Sequence, residues 1–398
     1  MPQESLIVKS AQINPVAEKR IKEGHYWIFN NEILEKITDL PKGGLVQVSD
    51  DKGKILGTGY SNPHSLITIR MLSWHKEEEI NEDFFLNRIK SALERRKQIY
   101  PAESNYRLIY SESDGLPGLI VDRYNDVLVA QIQTAGMEAL FPMIGALLIR
   151  TLNPQGIFLK NDGQYRKLEG LGEEEKIWFG HLPEDLIVER HGLKLRVNLR
   201  SGQKTGLFYD QMENLQLVRE GIANKRVLDV FCYLGAWSFT AAAYGAKSVL
   251  GIDRSKEALL LSRESKTLNL HGEVCEFVEG DAFELMRKLS QEGQMFDCVI
   301  LDPPAFAKTK RDVPQAIKAY RDINRWALKL LNAGGRLITC SCSYHLTLSK
   351  FMEIIYQAAV STGKRLYVEE IRGQARDHPM LLAMPETAYL KCVVLKII

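Results

Sequence analysis

The period of the apolar positions changes along this chain, and each period predicts a different kind of element. Up to about residue 73 the apolar residues come in short runs broken by turn residues. Gly43-Gly44 precedes Leu45-Val46-Gln47-Val48, Asp50-Asp51-Lys52-Gly53 leads into the run 55–60, and 65–71 alternates apolar with polar. Such runs predict hairpins in a small β-rich domain. Over 80–100 the apolar residues Phe84, Phe85, Ile89 and Leu93 take the spacing of one helix face. Strands are then predicted at 108–110, 118–122 and 127–133, a helix at 136–151, and strands at 157–160, 186–189 and 193–198. From Val227 onward, short unbroken apolar runs alternate with helical segments. Val227 to Val230 predicts a buried parallel strand, Gly235 a tight turn and 237–244 a helix. Further strands are predicted at 248–252, 274–278, 296–301 and 335–341, with Ser255 capping a helix that runs to about residue 268. Strands alternating with helices predict an α/β parallel sheet.

A length of 398 residues exceeds one ordinary core. The changes of period divide it into a β-rich domain (1–73), an α+β domain (74–200) and an α/β domain (201–398). Hydrophobic content of 45% and charged content of 26% describe a soluble globular chain. The net charge is only +2, so any nucleic-acid surface must be local. Membrane spanning is not expected, because no apolar run is read as long enough. The start Met1-Pro2-Gln3-Glu4-Ser5 lacks a basic segment followed by an apolar one, so a cytoplasmic location is the default expectation. The cysteines are Cys232, Cys275, Cys298, Cys340, Cys342 and Cys392, mostly within strand patterns, and they read as buried free thiols. No C-x-x-C pair occurs, so a metal site is not expected.

Polar groups recur where the predicted parallel strands end: Asp253, Gly280-Asp281-Ala282, Asp302-Pro303-Pro304-Ala305-Phe306 and Thr339-Cys340-Ser341-Cys342-Ser343. Open α/β sheets bind ligands at those ends. The loop after the first strand has one glycine and lacks G-x-G-x-x-G, so a diphosphate cradle is not indicated. A nucleoside with an amino-acid tail, S-adenosylmethionine, suits it. Asp253 could accept ribose hydroxyls, and Asp281 with the Ala282 backbone could read an adenine edge. Each acid alone could equally be a helix cap. The prolines of Asp302-Pro303-Pro304 leave only acceptors, which suit an exocyclic amine such as cytosine N4, and Phe306 could stack on that ring. A plain strand-ending turn would look the same.

Cys342 at the neighbouring strand end could add to cytosine carbon-6 and make carbon-5 nucleophilic. Its thiolate would need cations, and Lys308, Lys310 and Arg311 are candidates. Cys340 is the more buried alternative. The segment 201–211, with Gln203, Thr205 and Phe208, reads as a lid over the cofactor, although a linker could share its polar character. Near the start, Lys19, Arg20 and Lys22 beside His25, Tyr26 and Trp27 mix bases with aromatics, which suits RNA contact but also a solvated charge run beside core rings.

These motifs resemble, over the whole length, the PUA-domain-containing class I methyltransferases that make 5-methylcytidine in large-subunit ribosomal RNA. The stretch from Lys19-Arg20 through Gly24-His25-Tyr26-Trp27-Ile28-Phe29 to Asn62-Pro63-His64-Ser65 is similar to the PUA domain of that family. Gly202-Gln203-Lys204-Thr205-Gly206 with Asp210-Gln211 is similar to its lead-in to the catalytic domain. Asp302-Pro303-Pro304-Ala305-Phe306 and Ser341-Cys342-Ser343 are similar to its fourth and sixth motifs.

The resemblance implies a Rossmann-like, seven-stranded methyltransferase sheet whose last strand, 388–397, is antiparallel. It also implies a middle domain of two strands, a helix and two strands. S-adenosylmethionine is the implied cofactor, contacted by Gln203, Thr205, Phe208, Asp229, Phe231, Tyr233, Gly235, Asp253, Arg254, Asp281, Ala282, Asp302 and Pro303. Cys342 and Asp302 are the implied catalytic pair, with Phe306, Lys308, Lys19, Arg20 and Trp27 toward RNA; a homodimer is a further expectation. Pro304 stands where the wider RNA cytosine methyltransferases often carry a second cysteine, so product release must proceed otherwise. An exocyclic-nitrogen methyltransferase using Asp302 and Phe306 without a thiol, or a non-catalytic RNA-binding assembly factor, are the competing readings.

Overall fold

The computed structural model describes residues 7–202 and 205–398. They divide into two compact units: Met1–Glu184, Gln203–Leu207 and Asp377–Thr387 in the first, and Asp185–Gly202, Phe208–Arg376 and Ala388–Ile398 in the second.

The first unit contains two sheets. β1 (Ile7–Gln12), α1 (Pro15–Lys22), β2 (Trp27–Phe29), β3 (Leu45–Ser49), β4 (Ile55–Ser61) and β5 (Ile67–Ser73) form a five-stranded sheet in the order β1-β3-β4-β5-β2. Its alternating strands bury Val46, Val48, Ile69 and Met71 around Ile21 and Ile28. The second sheet comes from α2 (Glu82–Ile99), β6 (Tyr106–Tyr110), β7 (Leu119–Tyr124), β8 (Val127–Ile132), α3 (Ala135–Leu152), β9 (Gly156–Asn161), α4 (Gln164–Leu168) and β10 (Glu174–Gly180), in the order β10-β9-β8-β7-β6. Three strands thus precede α3 and two follow it, one more than the two-strand, helix, two-strand pattern.

Asn81 and Thr134 cap α2 and α3 by accepting from Phe84 N and Met137 N. The helices bury Phe85, Ile89, Phe141 and Ile144 in one core that also takes Leu45, Tyr60 and Leu72 from the first sheet. Polar ties reinforce it: Tyr60 donates to Pro117 O at 2.7 Å, and Arg70 pairs with Glu169 at 2.9 Å. Residues on both sides of position 73 therefore belong to one unit. The expectation that no apolar run reaches a membrane span needs correction at α3, which is long and apolar enough by length and composition. Half of it is buried, and it carries Glu138 and Arg150, so its apolarity serves this core.

The second unit opens with a ribbon of β11 (Leu186–Arg190) and β12 (Leu193–Val197). The main sheet follows from β13 (Arg226–Val230), α5 (Ala236–Ala243), β14 (Ser248–Asp253), α6 (Lys256–Ser265), β15 (Cys275–Glu279), α7 (Ala282–Gln291), β16 (Phe296–Leu301), α8 (Val313–Lys329), β17 (Leu331–Ser341), α9 (Leu348–Ser361), β18 (Leu366–Arg372) and β19 (Lys391–Ile397). Its seven strands run β15-β14-β13-β16-β17-β19-β18. Those from β15 to β17 are parallel, and β19 is antiparallel to β17 and β18. Central strands covered on both faces need mostly apolar runs, which is why β13 and β16 were legible. The strand order reverses between β13 and β16. Such a switch point opens a crevice at the carboxyl ends.

Candidate active site

The loop leaving β13 is the most contorted backbone at those ends. Phe231, Tyr233 and Gly235 have φ of 66°, 50° and 79°. Left-handed conformations at two bulky residues cost energy that the surroundings must supply. Hydrogen bonds to the next strand supply it: Phe231 N and Cys232 N donate to Ile252 O at 2.8 and 3.0 Å, and Tyr233 N donates to Asp253 Oδ2 at 2.9 Å. Gly235 caps α5 with no side-chain hydrogen bond, and a Cβ there would stand 2.9 Å from the Phe277 ring. Phe208 closes against Tyr233 edge-on, with ring centroids 5.2 Å apart.

The acids differ in their surroundings. Asp253 also accepts from Ser255 N at 2.8 Å, so both its oxygens are engaged. Asp281 is exposed and caps α7, accepting from Phe283 N at 2.9 Å and Glu284 N at 3.2 Å, while Ala282 is buried. Arg254 is exposed. Asp229 is fully buried; it accepts from Ser238 Oγ at 2.6 Å, and its Oδ1 has no partner among the described residues. Burial pushes its carboxyl up to about 7.

Asp302, half-buried after β16, is held at both oxygens. Gln211 Nε2 donates to Oδ1 at 2.8 Å and Trp237 Nε1 to Oδ2 at 3.1 Å. Asn214 in turn donates to Gln211 Oε1 at 2.8 Å, which orients the Gln211 amide. Ser343 staples the two strand ends together: its Oγ accepts from Ala307 N at 3.1 Å and shares a hydrogen bond with Tyr320 OH at 3.0 Å. Cys342 Sγ lies 3.8 Å from Pro303 O. Phe306 sits in an aromatic cluster, its centroid 4.7 Å from Tyr320, 6.2 Å from Phe283 and 6.3 Å from Phe231.

All six thiols are free; five are buried and Cys342 is half-exposed. Cys340 pairs across the sheet with Cys392, and burial pushes its thiol well above the ordinary range. Burial likewise raises Cys275 and Cys298, each to about 12. Lys308, Lys310 and Arg311 are exposed around a short 3-10 turn. A cation missed in the sequence is Lys391, the first residue of β19, buried and donating to Ser343 O at 2.7 Å. Nothing in the pattern Leu390-Lys391-Cys392 marks it, since an isolated lysine at a strand start reads as solvated.

In the first unit, Lys19 is exposed. Arg20 is bidentate to Glu32, at 2.8 and 2.6 Å, and donates to Trp27 O at 2.9 Å. Trp27 Nε1 donates to Glu112 at 2.8 Å. Thr205 is buried, with its hydroxyl on Asp122. Gln203 lies outside the described residues.

Residues 172–375 match the S-adenosylmethionine-dependent methyltransferase family, and residues 11–74 match a PUA-like domain. Curated relatives called ribosomal RNA large subunit methyltransferase I include one from Aeromonas hydrophila, 39% identical over 95% of this chain and 97% of its own. Another, from Tolumonas auensis, is 36% identical over 96% of this chain and 97% of its own. In fold, the chain is similar to the crystal structure of the methyltransferase SMU.776 complexed with SAH, at a TM-score of 0.85 and 23% identity over 98% of this chain and 100% of that one. A methyltransferase structure from Streptococcus mutans gives a TM-score of 0.83 at 22% identity, over 98% of this chain and 100% of that one. With the PUA-like domain, the seven-stranded sheet and curated relatives matching nearly end to end, this chain belongs to the S-adenosylmethionine-dependent methyltransferase family, and S-adenosylmethionine is its cofactor.

Proposed function

We propose that this enzyme methylates carbon-5 of a cytosine in large-subunit ribosomal RNA through a covalent bond from Cys342. The observation that carries the reading is the half-exposed Cys342 thiol, 3.8 Å from the Pro303 carbonyl in the turn that begins with Asp302. A methyltransferase acting on an exocyclic nitrogen needs no thiol there. The names of the curated relatives support ribosomal RNA as the substrate.

The donor set fits the cofactor. Asp229 Oδ1, a buried acceptor with no partner among the described residues, suits the ammonium of an amino acid. The α5 N-terminus, without a side-chain cap, suits its carboxylate. Asp253 is the acceptor for the ribose and Asp281 with Ala282 the reader of adenine. Phe208, Phe231, Tyr233 and Gly235 line the cofactor, joined in this reading by Arg254 and Pro303. When bound, S-adenosylmethionine supplies an electrophilic methyl group on a sulfonium. Asp302, fixed by Gln211 and Trp237, accepts from the cytosine N4 amine. The Cys342 thiolate adds to carbon-6, which places a nucleophilic electron pair on carbon-5. After methylation, loss of the carbon-5 proton to solvent water expels the thiolate and restores the ring. Phe306 and Lys308 face the RNA, and Lys19, with Arg20 and Trp27 shaping the surface beside it, contributes from the PUA-like domain.

Residues 1–73, 74–200 and 201–398 serve as RNA-binding, middle and methyltransferase segments in this reading. It includes a cytoplasmic location and a homodimer, supported by Tyr367, Val368 and Ile371 exposed on the edge strand β18. RNA carrying 5-fluorocytidine tests the chemistry, because fluorine at carbon-5 blocks the final elimination. The expected result is a protein–RNA adduct that survives denaturing electrophoresis and maps to Cys342. Methylated product with no adduct would refute the covalent route.

A further inference from the structure

Lys391 stands first in β19, directly opposite Ser341 in the β17–β19 ladder. Its side chain reaches along the strand end. Nζ donates to Ser343 O at 2.7 Å and to Tyr389 O at 2.8 Å, so the ammonium bonds the residue that follows Cys342. Lys391 is only 9% exposed, and it has no carboxylate partner among the described residues. A buried ammonium held by neutral carbonyls alone is costly, and an ordinary protein would replace it with an apolar residue. Two of its three N–H groups are accounted for, and the nearby group that can carry the missing negative charge is the Cys342 thiol.

We propose that Lys391 is the positioning cation that holds Cys342 as a thiolate, an inference that rests on the nucleophilic role of Cys342 given above. The proton leaves Sγ to solvent water, and the resulting anion is balanced by the Lys391 ammonium across the strand end. The energetics agree with the geometry. Burial pulls the Lys391 ammonium down to about 8, and the charge that opposes this fall is Cys342. Other titratable groups around Cys342 set the limits. Tyr320 on α8, pushed up to about 12 by burial, stays neutral and gives no charge. The Asp302 carboxyl group precedes Pro303, whose carbonyl lies 3.8 Å from Cys342 Sγ, and a negative charge there would work against ionisation. Lys391 must therefore outweigh Asp302, which its fixed seat on two carbonyls allows.

The test is the pH profile of iodoacetamide alkylation at Cys342, read by peptide mass spectrometry on the full-length protein without RNA. Five of the six cysteines are buried, so the Cys342 peptide dominates the signal. In the wild-type protein the alkylation midpoint should lie below the ~8.5 of a free thiol. Lys391→Met keeps the length of the stem and removes the charge; its midpoint should rise by about one unit or more, with alkylation at pH 7 slowed about tenfold. Lys391→Arg should restore the wild-type midpoint. A merely structural lysine would leave the midpoint unmoved, and an unmoved midpoint in Lys391→Met overturns the proposal. Should Lys391→Met fail to fold, a wild-type midpoint at or above 8.5 overturns it equally. The readout needs no methyl transfer. A 5-fluorocytidine adduct with an unmoved midpoint sinks this inference alone, and a shifted midpoint without an adduct sinks the cytosine reading alone.

Discussion

Trp237 donates its indole N–H to Asp302 at 3.1 Å, joining the first turn of α5 to the turn after β16. Gln211 holds the other carboxylate oxygen at 2.8 Å. Both carboxylate oxygens of Asp302 are thus aimed by fixed neutral donors. Trp237→Phe keeps an aromatic ring and deletes the N–H. A hydrogen bond to a charged group contributes about 1.5–3 kcal/mol, so the rate of methyl transfer should fall about 10- to 100-fold. Gln211→Glu should be worse, because it sets a second carboxylate against the first. Single-turnover methylation measures both. An unchanged rate in Trp237→Phe would remove the indole from the catalytic arrangement.

Asp229 links cofactor binding to pH. Its carboxyl is raised from the usual carboxylate range to about 7 by burial. Between about pH 4 and 7 the folded chain therefore holds a proton that the unfolded chain has lost, so stability falls as pH rises through that window. A bound ammonium favours the carboxylate, so binding releases the proton, and cofactor affinity should rise with pH up to about 7. Asp229→Asn should flatten both profiles, weaken the cofactor and raise the Tm of the cofactor-free protein near neutral pH. Calorimetry and thermal unfolding across that range check the signs. A wild-type affinity that falls with pH would contradict the assignment.

Buried parallel strands were legible because both their faces are covered and their runs are mostly apolar, interrupted only by Asp229 in β13 and Asp297 in β16. The run 296–301 is β16 to the residue, and Ser255 does cap α6. The edge strands β18 and β10 were not, although the edge strands β15 and β6 were. β18 is exposed along most of its length, so Glu369 and Glu370 interrupt the pattern that would have announced it, and Glu174 and Glu175 do the same for β10. The strand-end acids could be named in advance because a strand fixes where its last residue points. Their partners could not. Gln211 and Trp237 reach Asp302 from 91 and 65 positions away, and Lys391 reaches Ser343 from 48. Those distances are closed by sheet order and register, to which a local pattern is blind.

RNA binding by the first unit is best tested by charge, not by truncation. Removing residues 1–73 would strip Leu45, Tyr60 and Leu72 from the core they share with α2 and α3. Lys19 is exposed, so Lys19→Glu should leave Tm unchanged and weaken RNA binding, with the salt dependence reduced by about one unit of slope. Arg20→Ala breaks the bidentate pair with Glu32 and should lower Tm instead. Filter binding over a salt series, beside thermal unfolding, separates the two. Full RNA affinity in Lys19→Glu would take Lys19 out of the interface.

The two neighbouring cysteines should separate stability from chemistry. Cys340 is fully buried against Cys392, and its raised thiol resists ionisation, so it makes a poor nucleophile. Cys340→Ser puts a more polar group in a fully buried seat and should cost about 1–3 kcal/mol of stability while methylation persists. Cys342 is half-exposed, and its sulfur has the Pro303 carbonyl on one side, with the Lys391 ammonium near the same strand end. Cys342→Ser keeps the shape but replaces a thiol that can ionise near neutrality with a hydroxyl that cannot, so Tm and cofactor affinity should hold while methyl incorporation falls to background. Methyl incorporation into RNA and thermal unfolding, measured on both variants, give opposite rankings if the assignment is right. Loss of activity in Cys340→Ser with activity kept in Cys342→Ser would move the nucleophile one pleat inward, and full activity in both variants would end the covalent mechanism.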